Sequence, residues 1–322
     1  MQLMEASWKY SLELSLKVYF KSVVRGSDCQ ASNNYKLVFI HNMISIIVCS
    51  RSKIILNEFA DNIKSTIGNV PYEIIWIDNS NNKYSIFEAY NWGVNHSKYP
   101  FLCFMHEDVL FHSFKWGDII IQLLNKPQVG CVGIVGGYYI SCNSLLWSSF
   151  GYKKGHYLQG YKENGHYKTK EVFFSYHNYG NKVVAIDGLF MCMRKQLFEK
   201  GLIKWDEKSY KGFHCYDLDI CIQLIIKGFE IIVSEDILVE HKSEGKYDSH
   251  LLESAICFHK KWNSMLPIMI NGFETDANID ENLYYLEQWH KSQSNAERAW
   301  HELGKRPHIF ISKVLSLLKN NK

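Results

Sequence analysis

Apolar residues in the central part of the chain come in short runs, separated by stretches with helical spacing. Residues 43–49 (Met-Ile-Ser-Ile-Ile-Val-Cys) are almost continuously apolar and rich in β-branched side chains. That is the pattern of a strand buried on both faces. Residues 55–67 are spaced as a helix, and Gly68 closes it. A second buried strand is predicted over 72–77, running into Asp78-Asn79-Ser80. A helix over 84–95 follows; Pro100 then opens a third strand over 101–105, which runs into His106-Glu107-Asp108. Strand, helix, strand, helix, strand at these lengths predicts an α/β fold: a doubly wound, mostly parallel sheet flanked by helices.

Past Gly130 the elements shorten and tyrosines and glycines multiply. Strands are predicted over 183–186 and 189–193, a helix over 217–226 stopped by Gly228, and strands over 230–233 and 237–240 leading to His241. Gly130, Gly133, Gly136 and Gly137 do not fit G-x-G-x-x-G and follow the third strand, so they read as a strand with close backbone approach. Residues 11–23 fit either a strand or an amphipathic helix, and 281–318 are helical in pattern. The chain thus divides into an N-terminal extension (1–42), a central domain (43–265) and a helical C-terminal extension (266–322).

Composition narrows the picture only a little. The chain has 322 residues, with 47% hydrophobic and 21% charged, as in ordinary globular proteins. The net charge is +3 and the basic residues are scattered, which argues against a nucleic-acid partner. The nine cysteines form no C-x-x-C pair and several lie in apolar runs. They read as buried free thiols rather than disulfides or a zinc site, which suits a reducing, cytoplasmic setting. No apolar run reaches the roughly 20 residues needed to span a bilayer.

Candidate chemistry lies at the strand ends. Ser50-Arg51, Asp78-Asn79 and His106-Glu107-Asp108 each follow a predicted strand, and open α/β sheets bind ligands where strand ends and helix N-termini share a crevice. A carboxylate such as Asp108 can hold a divalent cation, which in turn binds a diphosphate. Asp217 opens a predicted helix; local pattern leaves both an N-cap and a proton acceptor open for it. A neutral imidazole at His241 suits Mn²⁺ beside carboxylate and phosphate oxygens.

In order and spacing, Ser45-Ile46-Ile47-Val48-Cys49-Ser50-Arg51, Ile77-Asp78-Asn79-Ser80, Phe104-Met105-His106-Glu107-Asp108-Val109, Ile186-Asp187-Gly188, Tyr216-Asp217-Leu218-Asp219 and His241-x-Ser243-x-Gly245 resemble the family-two glycosyltransferases of the GT-A fold. The resemblance covers roughly residues 43–262, looks closest to a bacterial branch with His-x-Asp-Val in place of Asp-x-Asp, and implies a nucleotide-binding half over about 43–137 and an acceptor half over about 138–265. It implies a hexosyltransferase-like enzyme of polysaccharide biosynthesis, passing a sugar from a nucleotide-diphosphate donor to a hydroxyl of a glycan or lipid-linked acceptor, with inversion. By the same resemblance Ser50, Arg51, Asp78, His106 and Asp108 contact the nucleotide sugar, and Asp108 with His241 holds Mn²⁺ or Mg²⁺. Asp217 is the implied base. Asp187, Gly188, Trp205 and Asp219 line the sugar and acceptor pocket, with Trp205 stacking on a sugar. Peripheral contact with the inner face of the membrane, through either extension, stays open, as does the oligomeric state.

Two positions depart from the family pattern: His106 and Tyr216 stand where it has acids. They keep open a second reading, a catalytically weak nucleotide-binding scaffold subunit of a glycan-assembly complex. A sugar nucleotidyltransferase fits less well, because Ser50-Arg51-Ser52-Lys53 holds no glycine where such enzymes carry a glycine- and arginine-rich loop. A dinucleotide-dependent dehydrogenase fits least, for want of a glycine fingerprint after the first strand.

Overall fold

The computed structural model describes residues 42–141, 147, 152–175, 179–243 and 249–272. The predicted elements over 11–23 and 281–318, and nearly all of both extensions, lie outside these residues. The first predicted strand is β1 (Ile44–Ser50), the second β2 (Tyr72–Asp78) and the third β3 (Phe101–Met105). β1 pairs in parallel with both β2 and β3. Helix α1 (Lys53–Thr66) joins β1 to β2, and α2 (Ile86–His96) joins β2 to β3. The start of α2 has a local cause. Ser85 accepts from the Glu88 backbone N–H while the Glu88 carboxylate accepts from the Ser85 N–H, a capping box.

The chain then departs from simple alternation. After β4 (Val109–Phe111) and α3 (Trp116–Leu124) come β5 (Val129–Gly133), β6 (Val135–Gly137) and β7 (Tyr139–Ile140). A long hairpin follows, β8 (Lys153–Glu163) with β9 (His166–Ser175). Next are β10 (Lys182–Val183), β11 (Ala185–Ile186), β12 (Phe190–Arg194) and the short α4 (Lys195–Glu199). The last described elements are α5 (Tyr216–Ile226), β13 (Glu230–Val233), β14 (Val239–His241), α6 (Ser249–Trp262) and β15 (Ile268–Met269).

A seven-stranded sheet runs β10-β13-β5-β12-β3-β1-β2, and a second runs β11-β6-β8-β14-β4 with β9 added on β8. The main sheet is parallel on its β3-β1-β2 side, while β12 lies antiparallel between β3 and β5. Both faces of β3 are packed: Phe104 lies in one apolar cluster, and Cys103 and Met105 in the other. This explains why the run over 101–105 is apolar throughout rather than alternating.

The chain passes between the two sheets at a few points, and the polar motifs sit at them. Residues 106–108 carry it from β3 to β4, Ile134 from β5 to β6, and 187–189 from β11 to β12. Close packing explains the glycine cluster. A side chain at Gly136 would meet the Ala185 carbonyl, and one at Gly133 would meet Ile186. One cysteine expectation is corrected. Cys103 and Cys192 face each other across β3 and β12 and form a disulfide, whereas Cys49, Cys131, Cys221 and Cys257 are unpaired thiols. Two cysteines directly opposed in an antiparallel pair have close Cβ atoms, a relation invisible to a sequence separation of 89.

Candidate active site

His106, Asp108 and His241 converge although 135 residues separate the two histidines. Register brings them together: β14 runs antiparallel to β4 with His241 opposite Val109, and the Lys242 N–H donates to the Asp108 carbonyl at 3.0 Å. His106 is held from the other side, its N–H donating to the Leu189 carbonyl at 3.0 Å. The ligating atoms of the three residues lie within 4.8 Å of one another. His106 Nδ1 is 3.5 Å from His241 Nε2, which is 3.6 Å from Asp108 Oδ1. Ligands about 2.1 Å from a shared ion stand roughly 3.0–3.5 Å apart at right to tetrahedral angles. The three side chains therefore fit a divalent cation with little movement.

The electrostatics agree with that fit. Burial would raise the Asp108 carboxyl, yet the His241 and His106 rings and the Ser243 hydroxyl together hold it below the usual carboxylate range. Burial and the neighbouring His241 keep His106 below its ordinary value, against the pull of Asp108, Asp187 and Glu107. A neutral imidazole beside an ionised carboxylate is what a cation requires.

Tyr216 completes the group. Its hydroxyl lies 2.7 Å from His106 Nε2, and burial pushes the phenol well above its ordinary value, so it stays neutral. Asp217, next on α5, accepts from the Leu218 N–H at 2.9 Å and from the Gly188 N–H. Burial first, and the nearby Asp187 second, push the Asp217 carboxyl up to about 7. Asp187 accepts from the Leu189 N–H at 2.8 Å, which fixes the turn that presents Gly188 to Tyr216.

On the other flank, Ser50 is fully buried and donates to Glu107, which also accepts from the Arg51 N–H at 3.0 Å. Glu107 thus ties the end of β1 to the end of β3, a role the sequence reading did not assign to it. The Arg51 guanidinium lies over the Phe213 ring, 5.3 Å from its centroid. Asp78 is exposed, and the Ser80 backbone and hydroxyl hold its carboxyl below the usual range.

Two residues expected at the sugar pocket sit elsewhere. Trp205 is 1% exposed and packs against Tyr90, Phe104 and Phe198, so its ring faces are core rather than a platform for a sugar. Asp219 is equally buried. It accepts from Tyr210, Trp262 and Gln223 and pairs with Lys261 at 2.8 Å, which ties α5 to α6. The causes differ: Asp219 is turned inward by its place on α5, where hydrogen-bond and ion-pair partners take it, whereas Trp205 lies in the loop between α4 and α5 and is held there by aromatic packing.

With this geometry in place, comparison with known proteins decides the family. A model of the Glycosyltransferase like family matches residues 45–262, well over half of the chain. The chain belongs to this glycosyltransferase family. The described residues have the α/β architecture expected from the sequence, with parallel β3-β1-β2 strands joined by helices. A search of curated proteins finds no match. Among solved structures, GalNAc-T7 with UDP, GalNAc and Mn²⁺ is 10% identical, with a TM-score of 0.44 over 82% of this chain and 58% of that one. The chain thus spans little more than half the length of that relative. The mannosyltransferase PcManGT of Pyrobaculum calidifontis, in complex with GDP-Man and Mn²⁺, is 11% identical, with a TM-score of 0.39 over 85% of this chain and 84% of that one. A197 from STIV is 10% identical, with a TM-score of 0.35 over 74% of this chain and 99% of that one. Among the described residues of this family member, no helix is long and apolar enough to cross a membrane.

Proposed function

We propose that the chain is an inverting glycosyltransferase that moves a sugar from a nucleotide-diphosphate donor to a hydroxyl of a glycan or lipid-linked acceptor. The observation that carries this reading is the Asp217 carboxyl, pushed up to about 7 beside the His106, Asp108 and His241 cluster. A base with that affinity for protons is matched to taking one from a hydroxyl near neutral pH. Family membership supports the reaction class.

In this reading Asp217 accepts the proton of the acceptor hydroxyl as its oxygen bonds to the anomeric carbon and the donor's diphosphate leaves from the opposite face. Asp187 keeps Asp217 proton-hungry and orders the Gly188 turn beside it. Arg51 and Asp78 contact the nucleotide, while the fully buried Ser50 shapes the end of β1 through its bond to Glu107 rather than touching the ligand, as the sequence had implied. Asp108 and His241 hold Mn²⁺ or Mg²⁺, which when bound neutralises charge on the diphosphate.

A thermal-shift panel of nucleoside diphosphates with and without Mn²⁺, followed by turnover of the matching donors, tests the proposal. A ligand at 100 times its Kd adds about 2.7 kcal/mol, enough to register. Stabilisation by one diphosphate, strengthened by the ion and followed by turnover, is the expected result. Stabilisation without turnover of any matching sugar nucleotide would favour the scaffold reading, which His106 and Tyr216 motivate. No stabilisation by any diphosphate would overturn nucleotide binding in the crevice.

A further inference from the structure

The two positions that depart from the family pattern touch each other. His106 and Tyr216 stand 110 residues apart, yet the phenol oxygen is 2.7 Å from His106 Nε2. An imidazole has two nitrogens, and a partner on one decides what the other can do. Here Tyr216 occupies Nε2, which turns Nδ1 toward His241 Nε2 at 3.5 Å and so toward Asp108.

The phenol has no freedom to turn away. Tyr216 is 6% exposed and is boxed by the edges of Phe87 and Tyr90, with the Trp205 ring alongside. Gly188 closes the box: a Cβ there would overlap the Tyr216 hydroxyl and ring. A rigid second partner on one ring nitrogen is how proteins commonly aim a histidine at an ion.

We infer that Tyr216 is a positioning residue that commits His106 to bind the ion through Nδ1. The inference rests on the metal site of the proposed function and deepens it by naming a third ligand, its tautomer and the residue that aims it.

The test is direct metal binding to the purified, chelator-stripped full chain, with Mn²⁺, Co²⁺ and Mg²⁺ alone and no sugar donor present. Tyr216→Phe keeps the ring packing and removes only the hydroxyl. It is expected to lose roughly 10–100-fold in Mn²⁺ affinity. His106→Ala should lose at least as much, and adding Tyr216→Phe to it should cost nothing further, because the hydroxyl acts only through the ring. The visible absorption of bound Co²⁺ gives a second readout, since loss of an imidazole ligand alters its bands whatever the activity.

Failure of this inference and failure of the site are separable. A wild type that binds none of the ions overturns the metal site itself and Tyr216 with it. A wild type that binds Mn²⁺, with His106→Ala unchanged in affinity and Co²⁺ spectrum, keeps Asp108 and His241 as ligands and overturns the role of His106. Losses that simply add in the double variant, or a Tyr216→Phe variant that loses thermal stability and not affinity, mark Tyr216 as a packing residue only.

Discussion

At pH 7 the Asp217 carboxyl stands near the midpoint of its titration, because burial and Asp187 together lift it from 3.8 to about 7. A base in that state makes the rate climb with pH through about 7. A pH profile of turnover should show that limb, and Asp187→Asn should move it to lower pH by removing the neighbouring charge. Asp217→Asn should lower turnover by about 10²–10⁴-fold with diphosphate binding nearly intact, as initial-rate kinetics and isothermal titration can check. The same shift has a consequence for stability. A carboxyl whose folded value is raised favours the native state below its unfolded value, and that contribution is lost as pH rises through about 7. Thermal unfolding should therefore find Asp217→Asn more stable than the wild type at pH 8, by a smaller margin at pH 5, and without that advantage below the unfolded value of 3.8. Sequence pattern placed Asp217 at a helix start but left cap and base equally open. Only the fold shows Asp187, thirty positions earlier, as its neighbour. Position along the chain also does not reveal the direction a side chain takes, which is why Trp205 and Asp219 were expected in a pocket and belong to the core.

At the scale of elements, legibility followed periodicity. β3 and β13 match their predicted bounds residue for residue, and β1, β2, α1, α2 and α5 do so within a residue or two at each end. Continuous apolar runs are strong signals because a strand buried on both faces tolerates no polar interruption. The hairpin β8–β9 escaped because its outer strand is largely exposed and carries Lys168, Lys170 and Glu171, which leave little hydrophobic alternation. α3 and α6 were likewise not resolved from their surroundings. The capping box of α2 offers a clean test of local causes. Ser85→Ala removes the acceptor for the Glu88 N–H and should cost about 0.5–2 kcal/mol in chemical denaturation. Gly188→Ala tests a tertiary one. The added methyl meets the Tyr216 ring, and overpacking of this kind typically costs about 1–3 kcal/mol. Its loss of Mn²⁺ affinity should follow that of Tyr216→Phe.

Over the whole molecule, the buried Asp219 joins helix α5 to α6 and so to the last part of the described chain. Asp219→Ala strips partners from Tyr210 and Trp262 and should destabilise by at least about 2 kcal/mol. KM for the donor at a temperature well below unfolding should change little, whereas a pocket residue would shift it. The two-sheet arrangement that brings the site together was only half visible beforehand. The βαβαβ side follows from local periodicity, while the return of β14 onto β4 depends on pairing between segments about 130 residues apart. That long return has a bearing on how the protein is made. The proposed ligands at 106 and 108 leave the ribosome well before the one at 241, and an ion would find no complete set until β14 has docked. Pairing over such separations is slow, since a long loop must close before any contact repays it. The proposed site therefore predicts that uptake of its ion is a late event of folding. In refolding experiments the Co²⁺ bands should rise with the slowest phase of tryptophan fluorescence, and a signal that preceded it would show the site forming before the sheets do.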